Sequence, residues 1–200
     1  MIHAPNMLMI GSCGRNSGKT TFACELLKRL TVHHEIVAAK VTTIQERNGT
    51  CPRGGEGCGV CATLDGRFCI TEETLRGGTK DTQRQLAAGA ARVFWLRVMS
   101  EHLEEGAQAF IETIGARCPI VCESNSLRTK VEPAFFLLFC GSGDKTIKAS
   151  AGAVQQYADR LVVFDGTRFD LDPAHVAIMG NRWTIGGEAI TCKPSTTGEI

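Results

Sequence analysis

A Gly-Lys-Thr triplet near the N-terminus is the part of this sequence with the clearest chemistry. It ends the run GSCGRNSGKT over residues 11–20, between an apolar stretch and a segment with helical spacing of large apolar residues. A glycine-rich loop between a strand and a helix points backbone N–H groups and the positive end of the helix dipole at phosphate oxygens. The lysine would then reach the β- and γ-phosphates, and the threonine would ligate Mg²⁺. We therefore predict a nucleotide-phosphate site made of Gly14, Arg15, Asn16, Ser17, Gly18, Lys19, Thr20 and Thr21.

The loop departs from the strict pattern at one position. The glycine expected six residues before the lysine is Cys13, flanked by Gly11 and Gly14. Cysteine is small, so we expect the loop to accept it with reduced backbone freedom. The alternative is that the triplet only begins a helix. A second lysine near the start of the loop, typical of dimerising chromosome-partitioning ATPases, is absent, since Gly14 and Arg15 stand there.

Acidic residues at strand ends are the expected partners of this loop. P-loop enzymes hold Mg²⁺ with a carboxylate that follows an apolar strand. Glu123 follows PIVC and Asp165 follows LVVF, and the order along the chain favours Glu123. Asp81 is predicted either to face the terminal phosphate or to cap its helix. The predicted catalytic residues are thus Lys19, Asp81 and Glu123, with Thr20 and Glu123 on Mg²⁺; the alternative for either strand-end acid is a turn cap.

Four cysteines crowd one glycine-rich segment, residues 48–69, which we predict to be an insert. Cys51, Cys58, Cys61 and Cys69 are suitable ligands for Zn²⁺ or an iron–sulfur cluster, and a metal would stabilise a segment with little apolar content. The alternative is a loop of reduced thiols, or a disulfide between Cys58 and Cys61. The scattered cysteines are expected to be small buried apolar residues: Cys13, Cys24, Cys118, Cys122, Cys140 and Cys192.

Apolar periodicity predicts alternating strands and helices around these residues. The strands are expected over residues 7–12, 35–41, 93–99, 119–122, 134–140 and 161–164, and the helices over 20–30, 81–91, 101–114 and 147–157. From residue 176 onward, Gly180-Asn181 predicts a terminal hairpin. We therefore expect one α/β domain, residues 1–200, with a doubly wound, mainly parallel sheet of the P-loop NTPase type, a Cys/Gly-rich insert and a small C-terminal β-hairpin.

The composition of the chain argues against two kinds of binding partner, nucleic acid and membranes. The formal net charge of the 200-residue chain is +1, which provides no strong field for nucleic acid or an anionic membrane. No apolar run approaches the roughly 20 residues that a bilayer span needs, and the first residues lack the pattern of a signal peptide. We expect a cytoplasmic protein that binds neither nucleic acid nor membranes.

The loop, its helix and the segment GTKDTQRQLAAGA over residues 78–90 together resemble the MobB-like proteins of molybdenum-cofactor biosynthesis. That family has a similar Gly-Lys-Asp-Ser/Thr segment, followed by Arg and by Ala-Gly-Ala leading into a strand. The resemblance implies a P-loop fold, GTP binding with weak hydrolysis, a homodimer and molybdopterin-processing enzymes as partners. It also implies that Asp81 faces the γ-phosphate and that Glu123 is the family's acid after the third strand. Cys13, the insert and the run Cys122-Glu123-Ser124-Asn125 depart from the family pattern.

Three hypotheses about function follow. The first is a Mg²⁺-dependent nucleotide-binding protein, a weak NTPase for GTP or ATP that assists molybdenum-cofactor or metal-centre assembly. The second is a small-molecule kinase that uses the same loop, with Asp81 or the Ser124-Asn125-Ser126 turn lining an acceptor pocket. The third is a metal-binding or metal-delivery module that the nucleotide switches. No Asn-Lys-x-Asp run selects GTP, so the base preference comes from the resemblance alone.

Overall fold

A seven-stranded, mainly parallel sheet organises the chain. The computed structural model describes residues 1–45, 64–143 and 146–186. The sheet has the order β3-β4-β2-β5-β1-β6-β7, in which β3 is antiparallel to β4 and the other neighbours are parallel. Its strands are β1 Ile2–Ser12, β2 Val37–Ile44, β3 Phe68–Glu72, β4 Arg92–Met99, β5 Ile120–Glu123, β6 Val131–Gly141 and β7 Arg160–Phe164. The prediction of a mixed α/β fold with a mainly parallel sheet is confirmed.

Helices cover both faces of this sheet. They are α1 Lys19–Leu30, α2 Asp81–Ala87, α3 Leu103–Ile114 and α4 Ala149–Gly152. Along β1, Leu8 and Ile10 join the buried cluster formed with α1 and α2, whereas Met7 and Met9 join the opposite cluster formed with α3 and α4. The period-2 alternation of a strand between two apolar layers produces this division. The expected terminal hairpin is confirmed as β8 Val176–Met179 and β9 Arg182–Ile185.

Several predicted elements have different bounds. Helix α2 ends at Ala87 rather than at residue 91, and Gly89 follows with φ +106°. The prediction of one helix over residues 147–157 is wrong. Helix α4 has four residues and ends at Gly152, and a short 3₁₀ helix follows it. Glycine disfavours continuation of a helix because it has the most backbone freedom to lose.

Residues 161–164 form a strand as predicted, but this strand, β7, is buried on one face only, at Val162, although its residues are mostly apolar. Strand β7 lies at the sheet edge, where Leu161 is 46% and Val163 39% exposed. Strand β3 was not predicted and pairs with the other edge of the parallel set. Within the described residues, none of the helices has the length and apolar composition that a membrane-spanning helix requires.

Candidate phosphate-binding site

The predicted phosphate loop lies between the central strand β1 and the N-terminus of α1. The backbone N–H of Cys13 donates to Phe139 O on β6 (2.7 Å), and that of Phe22 donates to Gly18 O (2.9 Å), so both ends of the loop are held. Asn16 and Gly18 have φ values of +56° and +78°. Loops that contain left-handed residues can turn successive backbone N–H groups toward one side, where these groups can bind an anion. Ser17 Oγ is buried and has no hydrogen-bond partner within the described residues.

Two aromatic rings pack against the end of the loop. A Cβ added at Gly18 would lie 2.7 Å from a Phe169 ring atom and 2.9 Å from Phe164. The two rings stack with centroids 4.6 Å apart, and Phe169 also packs edge-on against Phe22 of α1. Glycine is therefore required at this position by both its positive φ and the closeness of the rings.

Lys19 and Thr20 converge on one carboxylate, that of Glu123. The Thr20 hydroxyl donates to Glu123 Oε2 at 3.0 Å, and Lys19 Nζ lies 3.5 Å from the same oxygen. The Glu123 side chain is 1% exposed, whereas that of Lys19 is 32% exposed and remains accessible to a ligand. Glu123 reaches this position because β5 lies beside β1, in a register that aligns it with Ile10.

Gln85 completes the surroundings of Glu123, and it is not among the residues predicted for the site. Its Nε2 donates to Glu123 Oε1 at 2.7 Å, and the side chain is fully buried. Gln85 lies four positions after Asp81 on α2, so the two residues share one helix face. That spacing is the signal that could have identified it.

Asp81 forms an ion pair with Lys40. Lys40 lies on β2, in register with Glu123 on the neighbouring strand β5. Half-burial alone would raise the pKa of Asp81, but the Lys40 ammonium, with a smaller effect from Lys19, holds that pKa below its usual value. Helix α2 begins at Asp81 and its N-cap residue is Lys80, so the alternative that Asp81 caps the helix is wrong. The ion pair therefore keeps an ionised carboxylate beside the loop.

The other predicted charged residues lie in different surroundings. Arg15 is exposed in the loop, and Arg84 Nη2 lies 3.4 Å from the Thr21 hydroxyl at the start of α1. Asp165 accepts hydrogen bonds from the backbone N–H groups of Thr167 and Arg168, both 2.7 Å, which lower the pKa of its carboxyl. Asp165 thus caps the turn after β7, the alternative considered for it.

Oxygen ligands for Mg²⁺ are present at the loop. The hydroxyl of Thr20 and the carboxylate of Glu123 are adjacent, and Mg²⁺ prefers oxygen ligands of these types. The residues present fit this ion.

The predicted cysteine cluster falls mostly outside the described residues, because Cys51, Cys58 and Cys61 belong to the range 46–63. Cys69 lies on β3, half-buried, where it packs against Ile44, Leu64 and Met99 and accepts a hydrogen bond from Arg97 (3.5 Å). In residues 1–45, 64–143 and 146–186, no group of three or more His, Cys, Asp or Glu side chains is arranged to hold a metal ion.

Among the scattered cysteines, one pair is bonded. Cys13 is buried as predicted, whereas Cys140 is half-buried. The two form a disulfide with Cα atoms 4.9 Å apart, which was not predicted. Neighbouring strands β1 and β6 align Ser12 with Phe139, which places the two cysteines opposite each other. Cys24 and Cys122 are buried thiols as predicted, and burial raises the pKa of each. Cys118 is half-buried, and Cys192 lies outside the described residues.

Comparison with protein-family models, with curated proteins and with solved structures finds no match for this chain. The functional interpretation therefore depends on the geometry of the loop and its neighbours.

Proposed function

We propose that this chain is a P-loop protein that binds a nucleoside triphosphate with Mg²⁺ and hydrolyses it slowly. The observation that carries the proposal is the convergence of Lys19 and Thr20, at the N-terminus of α1, on the buried carboxylate of Glu123. A Gly-Lys-Thr sequence that occurs by chance at a helix start would not be expected to contact a buried carboxylate on β5, the strand beside β1. An unpartnered buried carboxylate would be costly, which makes the three residues a unit.

The roles of the residues follow from their positions. Lys19 is partly exposed and would attract the phosphate oxygens, while loop N–H groups and the helix dipole add to this attraction. Thr20 and Glu123 would hold Mg²⁺, which would offset charge on the phosphate oxygens. Asp81, kept ionised by Lys40, would orient the attacking water. Catalysis of this kind consists mainly of positioning and electrostatic stabilisation.

The substrate and the biological context extend the proposal. The resemblance of residues 78–90 to the MobB-like family favours GTP, a homodimer and a role in molybdenum-cofactor assembly. Two residues of that segment, Asp81 and Gln85, lie at the loop. The proposal therefore assigns a role at the phosphate site to the same segment that carries the resemblance.

Equilibrium binding of GTP and of ATP, each with Mg²⁺, tests the proposal directly. We expect Lys19→Ala to abolish binding and hydrolysis, while Lys28→Ala, an exposed lysine on the same helix, leaves both unchanged. Lys28→Ala should unfold at the temperature of the parent. Lys19→Ala should lose part of its stability but remain folded by circular dichroism, because buried Glu123 loses the ammonium 3.5 Å away and keeps its bond from Thr20. Unchanged hydrolysis in Lys19→Ala would refute the assignment, and a small acceptor that raises turnover by orders of magnitude would favour the kinase alternative.

A further inference from the structure

A lysine from far along the chain lies at the start of the phosphate loop. Lys148 Nζ donates to Ser12 Oγ at 2.9 Å, and its backbone N–H donates to Cys13 O at 3.0 Å. Ser12 Oγ in turn donates to Gly14 O at 2.9 Å. Both the backbone and the ammonium end of Lys148 are thus held against the residues where the loop begins, although the side chain is at the protein surface.

Asn125 defines which side of the loop this lysine occupies. Its side-chain oxygen accepts from Ser12 N (2.8 Å) and its Nδ2 donates to Ser12 O (3.0 Å). Asn125 comes two residues after Glu123, so Ser12 is tied to the segment that carries the proposed Mg²⁺ ligand. Lys19, which would reach the β- and γ-phosphates, faces Glu123 of the same segment. The corner formed by Ser12 and Lys148 therefore lies nearer the terminal phosphate than the nucleoside.

The charges at the loop give this position a function. Lys19 faces Glu123, and Lys40 faces Asp81, so each of these cations is close to a carboxylate. A nucleoside triphosphate with Mg²⁺ still carries net negative charge, and a further cation at its terminal phosphate would stabilise it. An ammonium has three N–H donors, so a bond to Ser12 is compatible with a bond to a phosphate oxygen.

We propose that Lys148 is a second phosphate-binding residue that contacts the terminal phosphate of the bound nucleoside triphosphate. It would bring this positive charge to the loop from the segment after β6, which is distant from the loop in sequence. The inference rests on the proposed function. It adds that the site should bind a nucleoside triphosphate more tightly than the corresponding diphosphate.

The test compares GTP with GDP, and ATP with ADP, in Mg²⁺ at low and high salt, for the full chain and three variants. We expect Lys148→Ala to lower triphosphate affinity about tenfold, as loss of a charge-assisted hydrogen bond would. Diphosphate affinity should change by no more than about twofold. Lys148→Arg should retain most of the discrimination, and high salt should weaken it. The control is Lys130→Ala, a lysine at the opposite end of β6 that pairs with Glu104.

The possible results separate this inference from the proposed function. Equal loss of triphosphate and diphosphate affinity in Lys148→Ala would mean that the lysine only positions the loop, which overturns the inference. Unchanged affinities in Lys148→Ala, with binding lost in Lys19→Ala, would overturn it while the P-loop function stands. A parent protein that binds none of the four nucleotides would overturn both.

Discussion

Thr20 donates a hydrogen bond of 3.0 Å to Glu123, a residue 103 positions further along the chain. The bond joins the first turn of α1 to the C-terminal end of β5. It also brings a hydroxyl and a carboxylate to the place where a P-loop protein binds Mg²⁺.

Replacement of the Thr20 hydroxyl should affect both the stability of the fold and the Mg²⁺ dependence of nucleotide binding. We expect Thr20→Val to lower the free energy of unfolding by about 1–3 kcal/mol, since Glu123 Oε2 loses its hydroxyl donor, and to remove the Mg²⁺ dependence of nucleotide binding. Thr20→Ser should retain both. Urea unfolding and Mg²⁺ titrations measure the two effects, with Thr113→Val, an exposed threonine on α3, as control. Full Mg²⁺ dependence in Thr20→Val would contradict the assignment.

Gln85 is expected to act through Glu123. Gln85→Ala leaves Glu123 Oε1 without its amide donor at a buried site, which should cost about 1–3 kcal/mol of stability and reduce nucleotide affinity. Gln108→Ala removes an exposed glutamine that donates to Glu112 on α3, and it should change neither quantity. Equal effects of the two substitutions would show that Gln85 has no special role.

The Lys40–Asp81 pair predicts a contribution to stability that depends on pH. Because the folded-state pKa of Asp81 is depressed, its ionised form stabilises the fold above the usual aspartate pKa of about 4, and this contribution is lost as pH falls through the folded pKa. The stability difference between the parent and Asp81→Asn should therefore shrink between pH 7 and acid. Urea unfolding at a series of pH values measures it, with the exposed Asp65→Asn as control. Parallel curves for the parent and Asp81→Asn would exclude the effect.

Gly18 has a left-handed backbone, with φ +78° and ψ −1°, and a Cβ there would lie 2.7 Å from a ring atom of Phe169 and 2.9 Å from Phe164. The backbone alone should cost about 1–2 kcal/mol of stability in Gly18→Ala, and the ring contacts about 1–3 kcal/mol more. The substitution should also abolish nucleotide binding. Urea unfolding measures the loss of stability, and a loss no larger than the backbone penalty would mean that the rings move aside.

The disulfide between Cys13 and Cys140 predicts a response to reductant. It closes a long loop, so reduction should lower the free energy of unfolding by about 2–5 kcal/mol. Urea titrations with and without dithiothreitol measure this loss, and the double variant Cys13→Ser/Cys140→Ser should show none. Peptide mapping under non-reducing conditions should find the two cysteines linked; their recovery as separate peptides would contradict the pairing.

Local patterns were enough to predict the parts of the site that are close in sequence. The strand, loop and helix around Lys19 follow from apolar spacing and three glycines. Both Glu123 and Asp165 follow apolar strands, and only the order along the chain and the family resemblance favoured Glu123. For Asp81 the sequence left two roles open, a site acid or a helix cap. Its ion pair with Lys40 could not be predicted, because a lysine at a strand end is often solvated.

The remaining features depend on which strands are neighbours. Periodicity does not determine the sheet order, so it could not show that β6 lies beside β1 and brings Cys140 to Cys13. The same neighbour relation brings Lys148 to Ser12. The exposure of Leu161 also depends on the sheet order, because an apolar run has the same composition at an edge as in the centre of a sheet.

The wide sequence separation of the contacts at the loop has a consequence for synthesis. Ser12 is 113 residues from Asn125 and 136 residues from Lys148. On the ribosome the loop emerges early, about 100 residues or more before the two strands that flank β1, which are β5 and β6. Non-local pairings of this kind form slowly, since the chain loses entropy before contacts compensate it. The nascent chain would therefore acquire its full affinity for a nucleoside triphosphate only after the segment around Lys148 has left the exit tunnel.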